Sequence, residues 1–137
     1  MTKQSQNLTG VWHGLYSYEA FKEPVYFVAT LLDGGSFLSG STHESEVGES
    51  GAPLTLYAAI DGARQATEVS FTKVYDGSGG WDHAVLYEGS LNGDATEIEG
   101  RWQIGGEASG KMMSGKFLMI RNRGVSESVV REAFEKV

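Results

Sequence analysis

Residues 67–104 read TEVSFTKVYDGSGGWDHAVLYEGSLNGDATEIEGRWQI, three runs of alternating polar and apolar side chains separated by two glycine-bearing turns. Alternation with a period of two is typical of β-strands that bury one face. The turns, at 76–80 and 92–95, are too short to connect parallel strands. This stretch therefore predicts three consecutive antiparallel strands.

The same pattern of short strands and glycine turns covers most of the chain, which has 137 residues and 19 glycines. Glycine is about twice as frequent as in an average protein. Eight strands are predicted, at Thr9–Glu19, Pro24–Asp33, Phe37–Glu46, Leu54–Asp61, Thr67–Tyr75, Trp81–Leu91, Thr96–Ile104 and Met113–Asn122. Closing such a sheet removes its two open edges. We therefore predict an all-β fold, an eight-stranded antiparallel up-and-down barrel.

The end of the chain departs from this pattern and is predicted to form a short α-helix over residues 126–136, capped by Ser126. Its apolar stripe would consist of Val129, Val130, Ala133, Phe134 and Val137. No linker or repeat divides the sequence, so we expect a single domain over residues 1–137, with the barrel at 8–122. The helix is expected to cover a barrel end or to pack on the barrel wall.

Composition excludes several classes of function. The 11 basic and 18 acidic residues give a net charge of −7, which argues against binding to nucleic acids or anionic membranes. Cysteine is absent, so disulfides and thiolate metal sites are excluded. No apolar run approaches the roughly 18 residues of a membrane-spanning helix. The first ten residues lack the apolar core of a signal peptide, and we expect a cytoplasmic protein.

Two glycine-rich stretches resemble ligand-binding loops but depart from them at decisive positions. Residues 105–112, GGEASGKM, nearly match a phosphate-binding loop, yet Met112 replaces the magnesium-binding hydroxyl and a strand follows in place of a helix. Residues 76–82, DGSGGWD, alternate oxygen-bearing side chains without the spacing of a calcium-binding EF-hand. Both stretches are predicted to be hairpin turns.

The alternation also predicts which side chains point into the barrel. Aromatic residues dominate this face and alternate with glycines, as a small and tightly curved barrel requires. With 76–80 as a hairpin loop, Lys73 is expected opposite His83, and the next loop puts Tyr87 opposite Gly100. The predicted ligand-binding residues are Trp12, Tyr16, Lys73, Tyr75, His83, Tyr87, Trp102 and Arg121.

The order of the motifs resembles the calycin group of barrels, which includes lipocalins, fatty-acid-binding proteins and avidins. The resemblance is closest to avidins and rests on Gly10-Val11-Trp12 in the first strand, Gly40 in the third and Trp102 in the seventh. It implies a barrel with an interior ligand site. The biotin contacts of avidins are not retained, because Gly14 replaces an asparagine and Thr42 a tyrosine.

A second resemblance, to haem-binding nitrobindin-like barrels, rests on GVWHG at residues 10–14. Those barrels bind iron through a late histidine, and no histidine follows His83 in this chain. His13, His43 and His83 also lack a metal-binding spacing. Neither a cofactor nor a metal is therefore predicted.

Three hypotheses for the function follow. The first is a small-molecule binding protein that holds a mostly apolar ligand, with Lys73, His83 and Arg121 around its anionic or carbonyl head. The second is an enzyme of isomerase, lyase or hydrolase type, with His83 as the base and Lys73 or a tyrosine as the acid. The third is a filled barrel that acts as an interaction module. A cavity of a few hundred Å³ is expected for the first two and a packed interior for the third.

The outer wall predicts self-association. Strands two and four are apolar on both faces, which is typical of strands covered on both sides. Val28, Leu32, Leu38 and Tyr57 would otherwise form a large exposed apolar patch. We expect the terminal helix or a second copy of the chain to cover it, as in a homodimer or homotetramer.

Overall fold

The fold is a closed β-barrel. The computed structural model describes residues 7–18, 24–47, 51–77, 83–106 and 111–122. Its strands are β1 Gly10–Tyr18, β2 Val25–Asp33, β3 Phe37–Val47, β4 Pro53–Gln65, β5 Glu68–Tyr75, β6 Ala84–Leu91, β7 Glu97–Gly106 and β8 Lys111–Arg121. Each strand pairs antiparallel with the next, and β1 pairs with β8. The predicted all-β class, the number of strands and their meander order are confirmed.

The helix predicted at 126–136 lies outside the described residues. Within the described ranges, no helix is long and apolar enough to cross a membrane.

Two stretches that lie between predicted strands, at 62–66 and 105–112, belong partly to strands. β4 continues through Asp61 and Gly62, and the chain turns instead at Ala66, whose φ is 55°. Gly62 serves close packing, because a Cβ at this position would clash with Phe71 on β5. In the second stretch, Gly105 lies in β7 and pairs with β8. The stretch resembling a phosphate-binding loop therefore spans a β-hairpin.

The predicted register of the β5–β6 hairpin was wrong by two residues. Lys73 lies opposite Val85, not His83. The N–H of Tyr75 donates to the carbonyl oxygen of His83 at 3.0 Å, so the connection spans 76–82 and not 76–80. A shift of two residues preserves the face of every side chain, and Lys73 therefore still points inward.

The β6–β7 register was wrong for a similar reason. Tyr87 lies opposite Trp102 and not opposite Gly100. The side-chain oxygen of Asn92 accepts hydrogen bonds from the N–H groups of Thr96 and Glu97, at 2.8 and 2.9 Å. These bonds extend the loop beyond the predicted 92–95, and β7 begins at Glu97.

Aromatic side chains occupy much of the barrel interior. Phe71 stacks on Tyr87 with ring centroids 4.9 Å apart. Gly14 makes room for the ring of Phe27, with which a Cβ would clash. Leu38, predicted to belong to the outer apolar patch, is fully buried in this core. That part of the prediction was wrong, because Leu38 shares the inward face of β3.

The two ends of the barrel differ. At one end, here called the Trp12 end, β1 begins and β8 finishes. The guanidinium of Arg121 lies over the ring of Trp12, 5.4 Å from its centroid, and donates to the carbonyl oxygen of Thr9 at 2.8 Å. The opposite end, the Tyr16 end, is where β5 finishes and β6 begins.

Candidate functional site

A buried ion pair lies in the Tyr16 half of the barrel. Nζ of Lys73 on β5 donates to Oε1 of Glu44 on β3 at 2.9 Å, and both side chains are 0% exposed. The two strands are separated by β4. The side chains meet because the alternation of each strand turns them into the lumen.

Two tyrosines complete the hydrogen bonding of the carboxylate. The hydroxyl of Tyr16 donates to Oε2 of Glu44 at 2.7 Å, and that of Tyr75 donates to Oε1 at 3.0 Å. With the bond from Lys73, the carboxylate accepts three hydrogen bonds. Such bonds offset part of the free energy lost when a charge leaves water.

Aromatic rings surround the ammonium group. Nζ of Lys73 lies 4.5 Å from the ring centroid of Phe27, 4.8 Å from that of Tyr16, 5.0 Å from that of Tyr75 and 5.5 Å from that of Tyr87. It also donates to the hydroxyl of Tyr87 at 3.3 Å. Cation–π attraction to these rings stabilises the positive charge. We call Tyr16, Glu44, Lys73, Tyr75 and Tyr87 the polar cluster.

The surroundings shift two of these groups in opposite directions. Burial lowers the pKa of Lys73, although the charge and hydrogen bond of Glu44 partly oppose this shift. Burial raises the pKa of Tyr16 far above its usual value, and the charge of Glu44 raises it further. Tyr16 therefore remains a hydrogen-bond donor across the physiological pH range.

A small cavity adjoins the polar cluster. Its lining consists of Tyr16, Tyr75, His83, Val85, Tyr87, Trp102 and Ile104. Its volume is about 10 Å³, about the space of one water molecule. The indole of Trp102 is fixed by a 3.0 Å hydrogen bond to the carbonyl oxygen of Ser17. The ring of His83 lies 4.9 Å from that of Tyr75.

The predicted site residues separate into two groups. Six lie together in the Tyr16 half: Tyr16, Lys73, Tyr75, His83, Tyr87 and Trp102. Trp12 and Arg121 lie at the opposite end, so Arg121 does not join Lys73 as the sequence predicts. The predicted Lys73–His83 pair is also wrong, because Glu44 holds the ammonium group.

Glu44 is not among the residues that the sequence predicts for the site. The signal was available, since alternation in β3 turns Leu38, Thr42 and Glu44 to the same face. A lysine on an inward face needs an opposite charge, because unpaired charges are rarely buried. Thr42 was also overlooked as a polar interior group. Its hydroxyl is buried and has no hydrogen-bond partner in the part of the chain that the structure describes.

No set of three or more histidine, aspartate or glutamate side chains converges as metal ligands within the described ranges. Comparisons of the chain with protein-family models, curated proteins and solved structures found no match.

Proposed function

We propose that the protein binds a small, mostly apolar molecule whose carbonyl head contacts the polar cluster from the Tyr16 end. The buried Glu44–Lys73 pair carries this proposal. Well-packed apolar residues often stabilise a fold as well as a buried ion pair or better. Recognition of a polar group therefore explains this pair better than folding does.

The charge balance of the cluster favours a neutral head over an anionic one. An ammonium group has three N–H donors, and the hydrogen bonds of Lys73 to Glu44 and Tyr87 use two. A carbonyl oxygen can accept the third if the side chain of Tyr87, which lines the cavity and is hydrogen-bonded to Nζ, moves aside. Lys73 and Glu44 carry opposite charges and make the cluster neutral overall, so a charged head would lose its hydration without a net opposite charge to offset the loss.

The small cavity limits how much of the ligand reaches the cluster. About 10 Å³ accommodates a carbonyl oxygen in place of one water molecule. The apolar body would contact Val85 and Ile104, which line the same cavity. The eight-stranded meander also supports a relationship to the calycin group, with the ligand held at one end of the barrel.

The cavity volume of about 10 Å³ is far below the few hundred Å³ expected for a ligand-binding barrel, and it favours a second candidate function, a filled barrel that acts through its outer surface. Leu32, Phe37, Tyr57 and Val74 are exposed apolar side chains on that surface. Such residues are typical of sites that contact another protein.

A series of three probes with six carbon atoms each separates these functions. We expect methyl butyl ketone to shift the NMR signals of Val85, Tyr87 and Ile104, and hexanoate and hexylamine to shift them much less. Ile104→Trp should block the ketone, whereas Val74→Trp, on the exposed face of β5, should not. Equal binding of all three probes, or shifts confined to Leu32 and Tyr57, would contradict the proposal.

A further inference from the structure

We propose that an aldehyde held at the Tyr16 end condenses reversibly with Lys73 to form an imine. The inference rests on the proposed function and specifies the carbonyl compound. In the enzyme hypothesis Lys73 is an acid, whereas here it is the nucleophile.

The cavity and the lysine share a wall. Tyr16, Tyr75 and Tyr87 line the cavity, and their ring centroids all lie within 5.5 Å of Nζ of Lys73. The hydroxyl of Tyr87 is hydrogen-bonded to Nζ at 3.3 Å. Lys73 itself does not line the cavity, so the reaction requires the Tyr87 side chain to move before a carbonyl group in the cavity can contact the amine.

A proton acceptor is already in place. Oε1 of Glu44 lies 2.9 Å from Nζ and can take a proton from the ammonium group. Burial lowers the pKa of Lys73, which makes the reactive neutral amine more accessible than in an exposed lysine. Desolvated lysines are activated as nucleophiles for carbonyl groups in this way.

The reaction balances without a further reagent. Lys73 gives one proton to Glu44, and its nitrogen then bonds to the carbonyl carbon while the carbonyl oxygen takes a second proton from the nitrogen. Glu44 returns its proton to the resulting hydroxyl, which leaves as water as the carbon–nitrogen double bond forms. One carbon–oxygen double bond is exchanged for one carbon–nitrogen double bond, and nothing is oxidised or reduced.

The polar cluster suits the product as well as the reactant. The protonated imine carries the same single positive charge as the ammonium group, so Glu44 remains its counter-ion and the surrounding rings still stabilise it. The released water molecule matches the volume of the cavity, about 10 Å³. The charge of the site is unchanged by the reaction.

Reductive trapping tests the inference. The full chain is incubated with butanal and sodium cyanoborohydride, which reduces an imine to a stable alkylamine, and labelled lysines are identified by peptide mass spectrometry. We expect Lys73 to be labelled several-fold faster than Lys116 on β8, whose side chain is exposed. Lys73→Arg should abolish the fast labelling and leave Lys116 labelling unchanged. Lys116→Arg, a surface change, should preserve the fast labelling of Lys73. This control is informative even if the Lys73 variant fails to fold.

Labelling of Lys73 no faster than that of Lys116 would overturn the inference. If methyl butyl ketone still binds in that case, the proposed function stands and only the covalent step is wrong. If the ketone does not bind either, both fail.

Discussion

At the scale of single residues, the burial of Lys73 and that of Glu44 depend on each other, because each charge is the counter-ion of the other. Removing one partner leaves a buried charge without its counter-ion, which costs about 3–5 kcal/mol. We expect Lys73→Met to lower the free energy of unfolding by about that amount. Adding Glu44→Gln should recover much of the loss, because glutamine removes the unpaired charge and keeps one oxygen that can accept from Tyr16 or Tyr75.

Urea unfolding of the two single variants and the double variant measures this coupling. Lys116→Met, a surface control, should change the free energy of unfolding by less than about 0.5 kcal/mol. Additive effects of Lys73→Met and Glu44→Gln would show that the pair does not interact as described.

The buried hydroxyl of Thr42 gives a second prediction at this scale. A buried polar group without a partner costs free energy, so Thr42→Val, which keeps the shape and removes the hydroxyl, should leave stability unchanged or raise it by about 1 kcal/mol. Thr55→Val, at an exposed position of β4, is the matched control. A clear loss of stability in Thr42→Val alone, measured by urea unfolding, would show that the hydroxyl has a partner.

At the scale of elements, Asp33 connects the segment before β1 with the β2–β3 and β4–β5 hairpins. Its carboxylate accepts hydrogen bonds from the N–H of Leu8 at 2.8 Å and of Gly35 at 2.9 Å, and from Arg64 at 2.7 Å. Burial alone would raise the pKa of Asp33, but these bonds outweigh it and lower the pKa below its usual value.

The pH dependence follows from the direction of that shift. Because the folded pKa is lowered, the carboxylate stabilises the fold above its unfolded pKa of about 3.9, and this contribution is lost as the pH falls through the folded pKa. Asp33→Asn should therefore destabilise the protein at neutral pH and progressively less in acid. Thermal unfolding from pH 7 to pH 3 measures this, with Asp61→Asn as an exposed control. A difference in unfolding temperature between wild type and Asp33→Asn that stays constant from pH 7 to pH 3 would contradict this prediction.

The strands themselves were predictable to within a few residues, and their pairing partners less so. Alternation identifies the inward face of β5 and β7, because the direction of each side chain depends only on its position in its own strand. Register depends on where a loop closes, and side-chain bonds such as those of Asn92 decide that. For the same reason six of the eight predicted site residues lie in the Tyr16 half, whereas the partner of Lys73 was not predicted. The predicted position of Arg121 beside Lys73 was wrong, because an inward direction does not determine at which end of the barrel a side chain lies.

At the scale of the whole molecule, self-association remains a prediction. Leu32 is 55% exposed and Tyr57 52% exposed on the outer wall of β2 and β4. A net charge of −7 makes two copies repel each other at low salt. We therefore expect a dimer in sedimentation equilibrium at micromolar concentration that strengthens with added salt, and a monomer for Tyr57→Lys. A wild-type monomer at every salt concentration would contradict this prediction.

The central claim is that a carbonyl oxygen accepts a hydrogen bond from Lys73 at the Tyr16 end. The most direct measurement is the carbon-13 NMR shift of the carbonyl carbon of labelled methyl butyl ketone during titration with the protein. We predict a downfield shift on binding, as hydrogen bonding from an ammonium group polarises the carbonyl, and its loss in Ile104→Trp. A carbonyl signal that stays at its position in water, or a shift that persists in Ile104→Trp, would contradict the account.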